Sequence, residues 1–162
     1  FANPRLKLPR HKRSMYLSAA RSWLFNHILS VRIDEHVWNK RIAGDVFMLD
    51  GKSACFKDEA DSESLDARLA ANEIHPTAVL WGEGERMVAA KAAKLESQVI
   101  DQFPRYRDGL ISARLKAQRR SCRVVPQQLE CRRQGIDFVV SFSLPAGSYA
   151  TSVLAEIISQ LN

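Results

Sequence analysis

Apolar and polar positions alternate from Ile136 to Leu144. Phe138, Val140, Phe142 and Leu144 fall on one face and Val139, Ser141 and Ser143 on the other, which is the period of a strand. Pro145 and Gly147 end it: the first has no N–H for a ladder, and the second takes backbone angles that other residues avoid. The period then becomes helical, with Val153, Leu154, Ile157, Ile158 and Leu161 as the stripe and Ser148 as the predicted N-cap. Tyr149 stands at the mouth of this strand, turn and helix. Spacing alone makes it a packed aromatic with a wet hydroxyl tip.

The same reading supplies the rest of the chain. Leu17, Ala20, Leu24, Ile28 and Val31 predict a helix over Ser14–Ile33 with Ser14 as its N-cap. Asp50-Gly51 between Val46-Phe47-Met48-Leu49 and Ser53-Ala54-Cys55-Phe56 predicts a hairpin. Turn chemistry accounts for both Asp45 and Asp50. Leu65, Leu69 and Ile74 predict a short helix over Asp61–Ile74, capped by Asp61 or Ser62 and ended by His75-Pro76. Thr77 to Trp81 is strand-like. Gly82-Glu83-Gly84-Glu85 is a loop whose carboxylates and missing Lys-Ser/Thr rule out a phosphate loop.

Val88, Ala92, Leu95, Val99 and Phe103 predict a second long helix over Glu85–Phe103. Its acidic start suits the helix dipole, and Lys91, Lys94 and Glu96 fall on or near the solvated side. Pro104 punctuates, Gly109–Lys116 is a third short helix, Val124-Val125 a strand, and Arg132-Arg133-Gln134-Gly135 a tight connection. No internal repeat or low-complexity segment interrupts the chain.

Composition narrows the class. A chain of 162 residues, 46% hydrophobic, is one globular domain or one domain and part of another. It has no apolar run long enough to span a membrane, and its first residues lack the apolar region of a signal peptide. Cys55, Cys122 and Cys131 are odd in number and scattered, which fits reduced thiols in a cytosolic protein. His11, His27, His36 and His75 fall on different predicted elements without metal-ligand spacing, so no metal site is expected. No nucleophile–histidine–acid set is legible either. The chain opens on Phe1 within a basic segment and reads as a piece of a longer protein.

Charge points to an anionic partner. Lys plus Arg exceed Asp plus Glu by six (24 − 18). The excess gathers in two stretches. One, predicted extended, holds Arg5, Lys7, Arg10, His11, Lys12 and Arg13. The other holds Arg119, Arg120 and Arg123 around Cys122. Clustered cations of this kind release counterions when they neutralise phosphates. Arg21 and Asn26, polar positions within the first helix, are expected to satisfy buried backbone groups at a junction of two domains rather than touch an anionic partner.

Longer motifs carry more than spacing does. Pro145-Ala146-Gly147-Ser148-Tyr149-Ala150-Thr151-Ser152-Val153 resembles the C-terminal signature of the TruD family of tRNA pseudouridine synthases. Two further stretches match that family in order and distance. One is Lys12-Arg13-Ser14-Met15-Tyr16-Leu17-Ser18-Ala19-Ala20-Arg21-Ser22-Trp23-Leu24-Phe25-Asn26, and the other is Gly44-Asp45-Val46-Phe47-Met48-Leu49. Val125-Pro126-Gln127-Gln128-Leu129 is similar to a further family segment. The resemblance covers nearly the whole chain.

The resemblance implies an α+β fold. Leu6 to about Val124 would form the family's helix-rich inserted domain with a small β-hairpin sheet, and Val125–Asn162 the last strands and helix of the catalytic domain's mixed sheet. It implies isomerisation of uridine 13 of tRNA, tRNA(Glu) in bacteria, without cofactor or metal, by a cytoplasmic protein that is a monomer. An Asp begins cleavage of the glycosidic bond, the base turns, and it rejoins through carbon. The family's catalytic Asp motif has no counterpart in this chain, so no catalytic residue is expected here and the chain alone is expected to be inactive. By the motif, Tyr149 occupies the position of an aromatic that contacts the target uridine, with Gly147 and Ser148 beside it. Ala155 departs from the family, where an Arg often precedes the helix Glu. Arg10, Lys12, Arg13, Arg119, Arg120 and Arg123 are the candidate RNA contacts. A non-catalytic RNA-binding module that keeps the inserted domain is the alternative, and a basic protein–protein module a third.

Overall fold

The computed structural model describes residues 8–58 and 62–159. Arg5, Leu6, Lys7, Asp61 and Leu161 lie outside them. The chain divides into two compact units, one ending at Arg123 and the other beginning at Val124. The first holds α1 (Arg10–Asp34), β1 (Val46–Leu49), β2 (Cys55–Lys57), α2 (Ser62–Ala70), β3 (Ile74–Leu80), α3 (Ala90–Asp101), α4 (Pro104–Ser112) and β4 (Gln118–Ser121). The second holds β5 (Gln127–Gln134), β6 (Asp137–Ser143) and α5 (Ala150–Ser159). The α+β class expected from the sequence is the class observed.

In the first unit four antiparallel strands run in the order β2-β1-β3-β4. One apolar cluster joins Leu24, Phe25 and Ile28 of α1 to Ala78 and Val79 of β3, Leu95 and Ile100 of α3, and Leu110 of α4. A second joins Phe47, Leu65, Leu69 and Ile74. Each fully buried Leu or Ile in these clusters contributes roughly 1.5–3 kcal/mol over its exposed state.

Several boundaries differ from the sequence reading, each for a physical reason. α1 starts at Arg10, so Arg10, His11, Lys12 and Arg13 are helical rather than extended and Ser14 is interior. Pro9, with φ −53°, offers a helix-compatible turn, and its carbonyl accepts the Arg13 N–H at 3.0 Å. The hairpin forms, with Met48 opposite Cys55, but its turn is longer than Asp50-Gly51 alone. α2 ends at Ala70, and Ile74, His75 and Pro76 belong to β3, the strand between β1 and β4. The restriction that proline places on His75 favours extended backbone, which suits a strand as well as a helix end. Pro76 serves that strand through its carbonyl, which accepts the Cys122 N–H at 2.8 Å.

α3 begins at Ala90, not Glu85, with no acidic residue in its first turn. Its N-terminus is met by backbone: Ala89 donates to the Gly44 carbonyl at 3.0 Å and Ala92 to the Ala43 carbonyl at 3.1 Å. Gly44 sits at φ +79°, and a Cβ there would collide with the Ala89 backbone. Glu85 instead pairs with Lys57 at 3.1 Å. Pro104 opens α4 rather than closing α3, and Gly109 lies inside that helix.

In the second unit Gln134 pairs with Asp137 across Gly135-Ile136, a two-residue turn with Gly135 at φ +65°. Arg132 and Arg133, expected in the connection, are strand residues opposite Val139 and Phe138. Val124 and Val125 precede β5 rather than forming a strand. The register shifts between Gln127 and Glu130, where Gln128 takes φ +53°, the signature of a bulge.

Candidate nucleic-acid interface

The first basic stretch is the opening of α1. Arg10, Lys12 and Arg13 are exposed, and the first turn carries no acid. A helix N-terminus already carries partial positive charge, so these cations weaken the free helix and strengthen its attraction for an anion. Ser14, Met15 and Tyr16 are exposed as well; Leu17 is the first α1 side chain to pack on the core, and Ala20 and Leu24 are buried in it.

The second basic cluster is divided by the fold. Arg119 is nearly buried and donates to Glu96 Oε1 at 2.8 Å, Thr77 Oγ1 at 2.9 Å, the Thr77 carbonyl at 2.8 Å and the Arg86 carbonyl at 3.3 Å. Arg123 donates to the Leu69 carbonyl at 2.7 Å, the Ile74 carbonyl at 2.9 Å and His75 Nδ1 at 2.8 Å. That last bond makes Nδ1 the acceptor, so the His75 proton sits on Nε2 and faces Asp50 Oδ1 at 2.8 Å. Arg120 alone of the three is exposed. It lies over the Phe25 ring at 5.3 Å and reaches Ser22 Oγ at 3.4 Å, beside α1. Arg119 and Arg123 therefore knit the first unit together, while Arg120 adds its charge to the α1 surface.

Arg21 satisfies backbone, as its sequence position suggested, but does so within the first unit. It donates to the Leu80 carbonyl at 3.1 Å, the Lys116 carbonyl at 2.9 Å and Gln118 Oε1 at 3.2 Å. Burial, with Arg120 nearby, lowers its pKa. Asn26 is exposed.

Two buried ion pairs escaped the sequence reading. Arg32 grips Asp45 through both carboxylate oxygens, at 2.8 and 2.9 Å, and Asp45 Oδ2 also accepts the Ile42 N–H at 2.9 Å. Asp45 thus keeps the turn role assigned to it and adds a charge partner. Glu96, expected near solvent, is buried against Arg119. Burial pushes its carboxyl above the usual range while Arg119 pulls the other way. The signal for Glu96 was present: it falls at i+4 from Ala92 and i−4 from Ile100, on the buried face.

In the second unit Gly147 takes φ +88°, and the Ser148 N–H donates to the Pro145 carbonyl at 3.1 Å. α5 begins two residues past Ser148, which is therefore part of the turn and not the N-cap; Tyr149 supplies a carbonyl to the Ser152 N–H at 3.1 Å. The Tyr149 side chain is not packed within this unit: the residue is 75% exposed. Ala155 is exposed on α5.

Other chemistry is sparse. Among the described residues no cluster of His, Cys, Asp and Glu is arranged to hold a metal ion. No described helix is long and apolar enough to cross a membrane. The three cysteines are free thiols, and burial pushes Cys122 up to about 12. An open cleft of about 490 Å³ reaches Lys40, Arg41, Asp66 and Arg123, where Arg41 is already matched by Asp58 and Asp66 at 3.3 and 3.4 Å.

The fold and surface define an α+β protein with a cationic helix on one unit and an open aromatic turn on the other. The family model for tRNA pseudouridine synthase D (TruD) matches residues 2–157, and the chain belongs to that family. It is 40% identical to tRNA pseudouridine synthase D of Methylococcus capsulatus over 98% of its length and 42% identical to that of Psychrobacter arcticus over 97%. It spans 45% and 41% of those two proteins. The crystal structure of a putative tRNA pseudouridine synthase D from Methanosarcina mazei shares the fold, with a TM-score of 0.67 and 23% identity over 92% of this chain and 38% of that one.

Proposed function

We propose that the intact protein is a tRNA pseudouridine synthase that converts uridine 13 of tRNA(Glu) to pseudouridine, acting as a cytoplasmic monomer without metal or cofactor. Residues 6–124 serve as the inserted, tRNA-gripping domain and residues 125–162 as the returning end of the catalytic domain. Arg10, Lys12, Arg13 and Arg120 meet phosphates, with Arg119 and Arg123 holding the surface that presents them. Gly147, Ser148 and Tyr149 receive the extruded uridine, whose base must leave its stack to be reached.

The observation that carries this reading is the family match over residues 2–157, within which Tyr149 follows the Gly147 turn at the motif position of a uridine-contacting aromatic. The test uses the intact enzyme. Tyr149→Phe retains the ring and most of the turnover. Tyr149→Ala loses about 1–3 kcal/mol of stacking, roughly a fivefold to hundredfold fall in kcat/KM. Tritium release from uracil-labelled tRNA reads the result, and an Ala variant with normal turnover refutes the site. An intact protein that binds tRNA yet releases no tritium would instead be a non-catalytic RNA-binding module. The 162-residue chain alone should release none, since the family's catalytic Asp motif is absent from it. Its tRNA affinity should fall steeply with salt, log K declining by about 0.9 per decade of salt for each duplex phosphate neutralised.

A further inference from the structure

The exposed side of α1 carries rings as well as charge. Trp23 stacks on Tyr106 of α4, with centroids 4.7 Å apart and planes 25° apart. Phe103 and His27 meet Trp23 edge-on at 4.5 and 4.2 Å and fix its orientation. The cluster is not a closed core: Trp23 and Tyr106 are each 37% exposed. Lys12, Tyr16, Ala19 and Trp23 recur at i, i+4, i+7 and i+11, which places them on one helix face. Tyr16, 59% exposed, lies about 10 Å from Trp23 along the axis.

Charge selects the occupant. From Arg10 to Ile33, α1 carries no carboxylate. Arg13 and Lys12 flank Tyr16 on the N-terminal side, and exposed Arg105 adjoins Tyr106. The acids of this region, Asp101 and Asp108, are held by Arg107 at 2.9 and 2.8 Å. A face with partly exposed rings, cations and ion-paired acids matches unpaired nucleotides, whose bases stack on aromatics while their phosphates meet Lys and Arg. A lone basic face would grip a duplex as readily.

We infer that the Tyr16–Trp23–Tyr106 face is a stacking platform for unpaired RNA nucleotides. This rests on the reading that the first unit grips tRNA, and it specifies which part of the RNA is gripped there: a single-stranded segment rather than a helix.

The test measures affinity of the full 162-residue chain for an unstructured twelve-nucleotide RNA, a fully paired RNA duplex and tRNA. Tyr16→Ala and Trp23→Leu are each expected to weaken single-strand binding fivefold to hundredfold and to leave duplex binding within twofold. Trp38→Ala, equally exposed at 37%, should change neither. Should Trp23→Leu unfold the chain, Tyr16→Ala carries the test alone. Equal affinity for single strand and duplex, insensitive to Tyr16→Ala, overturns the platform while salt-dependent tRNA binding leaves the gripping role standing. Failure to bind any of the three RNAs overturns both. Self-association in sedimentation that Tyr16→Ala abolishes, with RNA affinity unchanged, assigns the face to a second copy and overturns the platform.

Discussion

In the unit ending at Arg123, Leu24, Ile28, Phe47, Ile74 and Ile100 are wholly withdrawn from solvent, and ionic groups such as Arg32, Asp45 and Glu96 are buried in pairs. In the unit beginning at Val124, Ile136 is 91% exposed and Phe138 67%. The two sequences are comparably apolar in pattern, yet among the described residues the buried apolar clusters lie only in the first. The difference is geometric. Four strands flanked by helices enclose volume, whereas one hairpin and one helix fully bury none of their described apolar side chains. An alternating pattern therefore states which side chains share a face, and says nothing about whether anything covers that face.

The largest effect should come from separating the units. A chain of residues 1–123 should retain a cooperative thermal transition by circular dichroism, while residues 124–162 alone should show none, because a two-stranded hairpin is marginal in water. A cooperative melt of the shorter piece would contradict this comparison.

Within the first unit, removing one member of a buried pair comes next. Asp45→Ala leaves Arg32 buried without its counter-charge and should cost about 3–5 kcal/mol in urea unfolding. Arg120→Ala, on the surface, should stay within about 0.5 kcal/mol. Similar losses for both would mean that the buried pair contributes no more than a solvated charge.

A smaller effect is confined to alkaline pH. Burial raises Cys122 from 9.0 to about 12, so the folded chain holds a proton that the unfolded chain releases. This stabilising term is complete below pH 9 and declines as pH rises toward 12, by roughly 1.4 kcal/mol per unit. Cys122→Ala should flatten that decline in urea titrations at pH 8 and pH 10. Exposed Cys131 should alkylate in the native chain, while Cys122 should wait for unfolding; rapid native labelling of Cys122 would count against its burial.

The smallest stability change belongs to Tyr149→Ala. A residue 75% exposed should shift unfolding by no more than about 0.5 kcal/mol, whatever it does to turnover. A drop of 3–5 kcal/mol would return Tyr149 to the role of a core aromatic.

The α1 stripe of Ala20, Leu24 and Ile28, the β1–β2 hairpin, the β6 strand and the Gly147 turn are legible without coordinates, because each rests on local periodicity or on the backbone freedom of one residue. Long motifs, rather than spacing, carried the family. Tertiary structure decided what local rules leave open. His75-Pro76 obeys one steric rule at a helix end and within a strand, and only pairing with β1 and β4 selects the strand. α3 starts at Ala90 because carbonyls of Ala43 and Gly44, distant in sequence, meet its first N–H groups. Arg119, Arg120 and Arg123 read alike as a cationic run, but the strand ladder turns Arg119 onto Glu96 and brings Arg123 to His75, while Arg120 stays in solvent. A charge is visible in sequence; its partner is set by contacts tens of residues away.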